Sequence, residues 1–242
     1  MIAMLSRRRS AWLVLGLLLP VILVIASGCA GADAPASNQA TDINRLWWVM
    51  LAIATLVAVV VVVLLFVALF RRPSNATATA GPADRTGQER RWNTFTFVGG
   101  GVVPAIILTA IFGYSLVVMR NNQSHGEPDL VVNITARQFD YTFSYVGHPI
   151  QEQDVLHLPA NRRIKLELTS DDVIHSFWVP ELQGKMDMFQ GRTTTLWIED
   201  AKPGLYDSRC AEFCGLKHAI MHLPIQVQPP AEFDEWLEGQ SP

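Results

Sequence analysis

At 242 residues and a formal net charge of −3, the chain is long enough for one or two domains and close to neutral. No Lys/Arg patch with interleaved aromatics appears, which argues against nucleic acid as a partner. The cysteines, Cys29, Cys210 and Cys214, are too few for the disulfide framework of a small secreted domain.

The N-terminus carries Arg7-Arg8-Arg9, an apolar run from Ala11 to Ile25, then small residues ending in Ser27-Gly28-Cys29. That order is the basic, apolar and small-residue sequence of a secretory signal, so residues 1–28 are predicted to be a signal peptide. Cys29 would be the first mature residue, and its place after Ala26-Ser27-Gly28 resembles a lipoprotein signal in which that cysteine is lipidated. The other reading is an uncleaved first membrane helix. Residues 29–45, rich in Ala, Ser, Asn and Gln, read as an external segment.

Two longer apolar runs follow, at 46–70 and 95–119, neither with a charged residue. Each exceeds the ~20 residues that a helix needs to cross the hydrocarbon core, so a membrane hairpin is predicted over 46–120. Trp47, Trp48 and Trp92 fall at the span edges, where amphipathic rings favour the interface. Arg71, Arg72, Arg85, Arg90 and Arg91 lie between the spans, which places that loop in the cytoplasm and the remainder outside.

From about Pro128 the pattern changes to short period-two runs: Leu130, Val132, Ile134; Ile164, Leu166, Leu168; Ile225, Val227. Aromatic and β-branched residues fill Phe139 to Val146 and Thr193 to Ile198, with turn formers at 147–149, 158–161 and 202–204. An all-β sandwich or barrel is predicted over 128–230. Pro230 to Glu238 reads as a short helix with proline at its start, making 231–242 a C-terminal helix and tail.

The chemistry-bearing residues gather in Cys210-Ala-Glu-Phe-Cys214-Gly-Leu-Lys-His218-Ala-Ile-Met221. Thiolate, imidazole and thioether together suit a copper electron-transfer site. A distant imidazole would complete the set, and His175, after a predicted strand and among apolar residues, is the best candidate. In an oxidising compartment Cys210 and Cys214 alone also read as a disulfide or a redox dithiol. The added His218 and Met221 favour metal. Met221 alone reads as a core gap-filler and His175 alone as a hydrogen-bonded core histidine. His125, His148, His157 and His222 have no partners by spacing and read as surface or structural.

The runs His175 to Met188, Gly191 to Thr195, Pro203 to Tyr206 and Cys210 to Met221 resemble subunit II of bacterial cytochrome c oxidases. Pro104-Ala-Ile-Ile-Leu108 in the second span does too, and the likeness extends from about Asn44 to Trp236. The resemblance implies a two-helix transmembrane hairpin plus an all-β cupredoxin-like barrel domain in a bacterial inner membrane, the domain on the periplasmic side. It implies a dinuclear CuA centre of two copper ions. Cys210 and Cys214 would bridge, His175 and His218 would each supply an imidazole, Met221 would be a weak ligand, and Glu212 would ligate through its carbonyl. The Glu212 side chain would also help hold magnesium at the border with subunit I. The partners implied are the haem-containing subunit I, other oxidase subunits, and cytochrome c as donor. The chain would be an oxidoreductase subunit, active only with subunit I.

Two positions depart from the family pattern. Phe139, with Tyr141 nearby, stands where the family carries the tryptophan that receives the electron, leaving these two as the candidate electron-accepting residues. Phe97, beside Gly99 to Gly101, stands where many members carry a glutamate at the mouth of a proton path. Other readings are a CuA subunit of another terminal enzyme such as a nitric oxide reductase, a copper-free quinol-oxidase subunit, and a copper-delivery protein. The intact ligand set disfavours the quinol form. Two spans, β patterning and Met221 disfavour the delivery protein.

Overall fold

The computed structural model describes residues 34–70, 82–123, 126–152 and 154–240. The expected signal segment with Cys29, and Arg71 and Arg72 of the inter-span loop, lie outside the described residues.

Ser37 starts the first helix: its hydroxyl accepts from the Ala40 N–H at 3.1 Å, satisfying one of the unpaired donors of a helix start. Helix α1 then runs Asn38–Phe70, so residues 38–45 of the expected external segment are already helical. These polar residues are ordered by what they touch. The Ala36 N–H donates to the Glu181 carbonyl at 2.7 Å and the Lys202 N–H to the Ala36 carbonyl at 2.8 Å. Ser37 Oγ donates to the Leu182 carbonyl, and the Gln39 side chain accepts from the Glu199 N–H at 3.1 Å. The start of α1 is thereby clasped between two loops of the C-terminal domain.

The second hairpin arm begins at Pro82, before its apolar run. Helix α2 (Pro82–Phe97) passes through a π-helical turn (Val98–Val102) into α3 (Val103–Asn121). Pro104, in the first turn of α3, has no N–H to return to the preceding turn, and the hydrogen-bond ladder changes register there. Helices α1 and α3 lie side by side. Asn38–Leu69 and Thr86–Asn121 are long and apolar enough to cross a membrane. Their large side chains, Leu56, Leu64, Ile106 and Phe112 among them, point outward and are exposed, as suits helices solvated by lipid or by other helices.

The C-terminal domain is all β until its last helix. Its strands are β1 (Leu130–Arg137), β2 (Asp140–Tyr145), β3 (Gln151–Glu152), β4 (Leu156–Pro159), β5 (Ile164–Ser170) and β6 (His175–Trp178). They continue with β7 (Met186–Met188), β8 (Thr194–Ile198), β9 (Gly204–Asp207), β10 (Arg209–Cys210) and β11 (Pro224–Gln228), followed by α4 (Pro230–Gly239). One sheet is ordered β3-β2-β1-β5-β8, a second β4-β11-β9 and a third β10-β6-β7. The pairs β1/β5 and β4/β11 run parallel; the others are antiparallel.

The alternation is strict where one face is solvated. In β5 every second residue, Ile164, Leu166, Leu168 and Ser170, is buried. The inward faces meet in one core that includes Val132, Ile134, Phe143, Leu156, Phe177 and Ile225. This two-layered, mixed-sheet barrel is cupredoxin-like. At one end of it the short sheet β10-β6-β7 carries the candidate ligands.

Candidate metal centre

Sheet pairing brings the distant halves of the site together. Strand β10 lies antiparallel to β6 with Cys210 opposite Phe177, and His175 at the start of β6 stands opposite Met188 of β7. The loop after β10 is closed on itself: the Cys210 N–H donates to the Met221 carbonyl at 3.1 Å, and the His218 N–H to the Gly215 carbonyl at 3.1 Å. A short 3-10 turn, His218–Ile220, then aims Met221 back inward.

Each cysteine sulfur faces its own imidazole. Cys210 Sγ lies 3.8 Å from His175 Nδ1, and Cys214 Sγ lies 3.7 Å from His218 Nδ1. The two sulfurs are 3.8 Å apart, far beyond a disulfide bond. Two further donors flank them: the Glu212 carbonyl 3.2 Å from Cys210 Sγ, and Met221 Sδ 3.8 Å from Cys214 Sγ. Donor atoms each bound at about 2.0–2.3 Å to a shared ion stand roughly 3–4 Å apart, and these spacings fit that range. Soft sulfur with imidazole is a copper-type donor set. Among the described residues, His175, Cys210 and Cys214 also form the one group of three or more His, Cys and acidic side chains whose ligand atoms all lie within 4.8 Å of one another.

The surroundings keep water away. His175 is wholly buried, and Cys210, Cys214 and Met221 nearly so. Burial, with the neighbouring Cys210, pushes the Cys214 thiol up to about 11, so a metal would have to displace a proton there at neutral pH. His175 is oriented by Asp172, whose Oδ1 lies 2.8 Å from Nε2. A proton on Nε2 leaves Nδ1 free for a metal, the usual arrangement of a carboxylate behind a ligating histidine. Burial would raise the Asp172 carboxyl, but donors from Gln138, His175 and Val173 outweigh it and hold it below its ordinary value.

The two candidate electron-accepting aromatics separate. Phe139 is half-buried at the turn between β1 and β2. Tyr141, expected beside it in a contact surface, is instead fully buried, because the pleat of β2 turns position 141 inward. Its hydroxyl donates to the Ser176 carbonyl at 3.2 Å, and burial next to Cys210 pushes the phenol far above its ordinary range. The Glu212 carboxylate is part-exposed, with Lys185 Nζ 3.9 Å from it. Around the site the loop presents exposed Phe213, Leu216 and Ile220, an apolar rim of the kind a protein partner covers. Asp172 and Gln138 escaped sequence reasoning, since neither is a metal ligand and their partners lie in remote strands. His148 is exposed, His222 pairs with Asp207 at 2.9 Å and His157 stacks on Trp236, all away from the sulfurs.

Residues 142–229 match the family model described as cytochrome c oxidase subunit II, periplasmic domain. That stretch contains every candidate ligand and begins just after Phe139 and Tyr141. The chain is 28% identical to cytochrome c oxidase subunit 2 of Alkalihalophilus pseudofirmus over 92% of this chain and 67% of that protein. It is 31% identical to the probable cytochrome c oxidase subunit 2 of Rickettsia bellii, over 58% of this chain and 60% of that one. The chain thus spans about two thirds or less of the length of these relatives. Among solved structures, the periplasmic domain of subunit II of cytochrome oxidase from Bradyrhizobium japonicum is similar at 28% identity. That match has a TM-score of 0.45 and covers 47% of this chain and 94% of that one.

Proposed function

We propose that this chain is a member of the cytochrome c oxidase subunit II family, which the match over residues 142–229 supports, and that its β domain is the dinuclear copper relay of a haem-copper oxidase. The observation that carries this is the pairing of two buried sulfurs 3.8 Å apart, each with an imidazole nitrogen at 3.7 or 3.8 Å. Cys210, Cys214, His175, His218, Met221 and the Glu212 carbonyl would hold the two copper ions. When bound, such a pair supplies one-electron chemistry without an open position for substrate.

The residues of this chain do the rest. The closed loop and the Asp172-held ring would keep the donor positions fixed as the charge of a bound pair changes, which would keep reorganisation small. Buried surroundings exclude water and set the potential. The electron would come from a cytochrome c at the Phe139 side and leave toward haem in a partner subunit, with the apolar rim Phe213, Leu216 and Ile220 buried in a protein interface. Glu212, whose carboxylate is part-exposed, is the residue that would share a magnesium ion with that partner. The hairpin would lie in the inner membrane with the β domain on the periplasmic side.

A tagged full chain purified from its native membranes tests this. Haem should co-purify, and the complex should consume oxygen with reduced cytochrome c. Cys214→Ser should cut that rate at least a hundredfold while haem still co-purifies. Undiminished oxygen uptake in the variant would refute the role.

A further inference from the structure

We propose that Gln138 is a positioning residue for the metal loop, fixing the Cys214 peptide so that both sulfur–imidazole pairs share one frame; this rests on the copper reading above. Gln138 sits at the turn between β1 and β2, remote in sequence from the cysteines. Its side-chain amide donates to the Cys214 carbonyl. Its main-chain N–H donates to Asp172 Oδ2 at 2.7 Å, while Asp172 Oδ1 holds His175 Nε2 at 2.8 Å. One residue therefore grips both halves of the site, one through a cysteine carbonyl and the other through a carboxylate and a ring.

The grip falls at the Cys214 peptide, beside the glycine turn of the loop. Beyond Cys214 the chain turns through Gly215 at a φ of +132°, and the loop's own tie there is the bond from the His218 N–H to the Gly215 carbonyl. The Cys214 sulfur faces Cys210 Sγ, His218 Nδ1 and Met221 Sδ at 3.8, 3.7 and 3.8 Å. Rotating that one peptide would shift a sulfur against three other donors at once. Gln138 itself is exposed, so its amide adds little to the core; its structural consequence is confined to the loop it holds.

The test uses the full chain in detergent, loaded with copper, as wild type, Gln138→Leu and Gln138→Glu. Leucine removes the donor; glutamate keeps the shape but sets an acceptor against the carbonyl. Copper loss to a chelator should be about tenfold faster with leucine and faster still with glutamate. The visible sulfur-to-copper spectrum should shift in both, with thermal unfolding of the metal-free protein little changed for leucine. A glutamate variant that matches wild type in release rate and spectrum would overturn the proposal, because shape alone would then suffice. If wild type itself takes up no copper pair, the underlying reading has failed, and the wild-type metal count tells the two failures apart.

Discussion

At Gly215 the chain adopts a φ of +132°, where a side chain is strained, and a Cβ there would lie 2.9 Å from Gln138 Nε2 and 3.1 Å from Phe139 Cε1. Gly215→Ala must therefore bend the loop or push the Gln138–Phe139 corner aside. The expected cost is about 1–3 kcal/mol of stability, read as a lower melting temperature of the full chain, with copper uptake falling alongside it. An alanine variant that melts and loads like wild type would show that the loop has room to spare. At this scale the candidate ligands stand out in the sequence because Cys210, Cys214, His218 and Met221 share one loop and their chemistry is distinctive. Asp172 and Gln138 do not. An aspartate three residues before a histidine has many uses, and an amide on a distant turn carries no sign of which carbonyl it will meet.

Helix α4 shows how one element is attached. Pro230 opens it at a position where a missing N–H costs nothing, and Phe233 is buried against the barrel. Trp236 stacks on His157 at 4.2 Å between ring centres. Arg162 closes the contact with paired hydrogen bonds of 2.8 and 2.6 Å to the Asp234 carboxylate. That guanidinium holds the Asp234 carboxyl below its ordinary value of 3.8, so the contribution is present above about pH 4 and fades as the pH falls through the lowered value. Asp234→Asn should cost only about 0.5 kcal/mol near neutrality, because the Asp234 side chain is 48% exposed. The difference from wild type should shrink as the pH falls below about 4, as chemical unfolding at several pH values would reveal; a difference that does not shrink with falling pH would contradict it. The long apolar helices and the period-two strands β1, β5 and β11 could be read from the chain, since each has a single clear periodicity. Strand β6 could not, because His175, Ser176 and Phe177 are all buried and no alternation marks it. Strands β3 and β10 are two residues long, below what any pattern can signal.

Across the whole molecule, the clasp at Ala36 to Gln39 joins the start of α1 to loops around Glu181 and Glu199 through hydrogen bonds and buried small residues. The sequence suggested an external segment there without showing what it packs against, since polar residues before an apolar run carry no sign of their partners. The parallel pairings of β1 with β5 and β4 with β11 were equally hidden, for strand order depends on long-range closure and not on local composition. What this assembly accomplishes is to bring the two cysteine sulfurs within 3.8 Å of one another, and the proposal is that the pair binds two coppers as one unit. Copper content per chain, measured together with the electron paramagnetic resonance spectrum of the full chain in detergent, tests that most directly. Two coppers per chain are expected, with the hyperfine pattern of a single electron shared equally by two copper nuclei. One copper per chain with the pattern of a single nucleus, or a stable Cys210–Cys214 disulfide that takes up none, would contradict it.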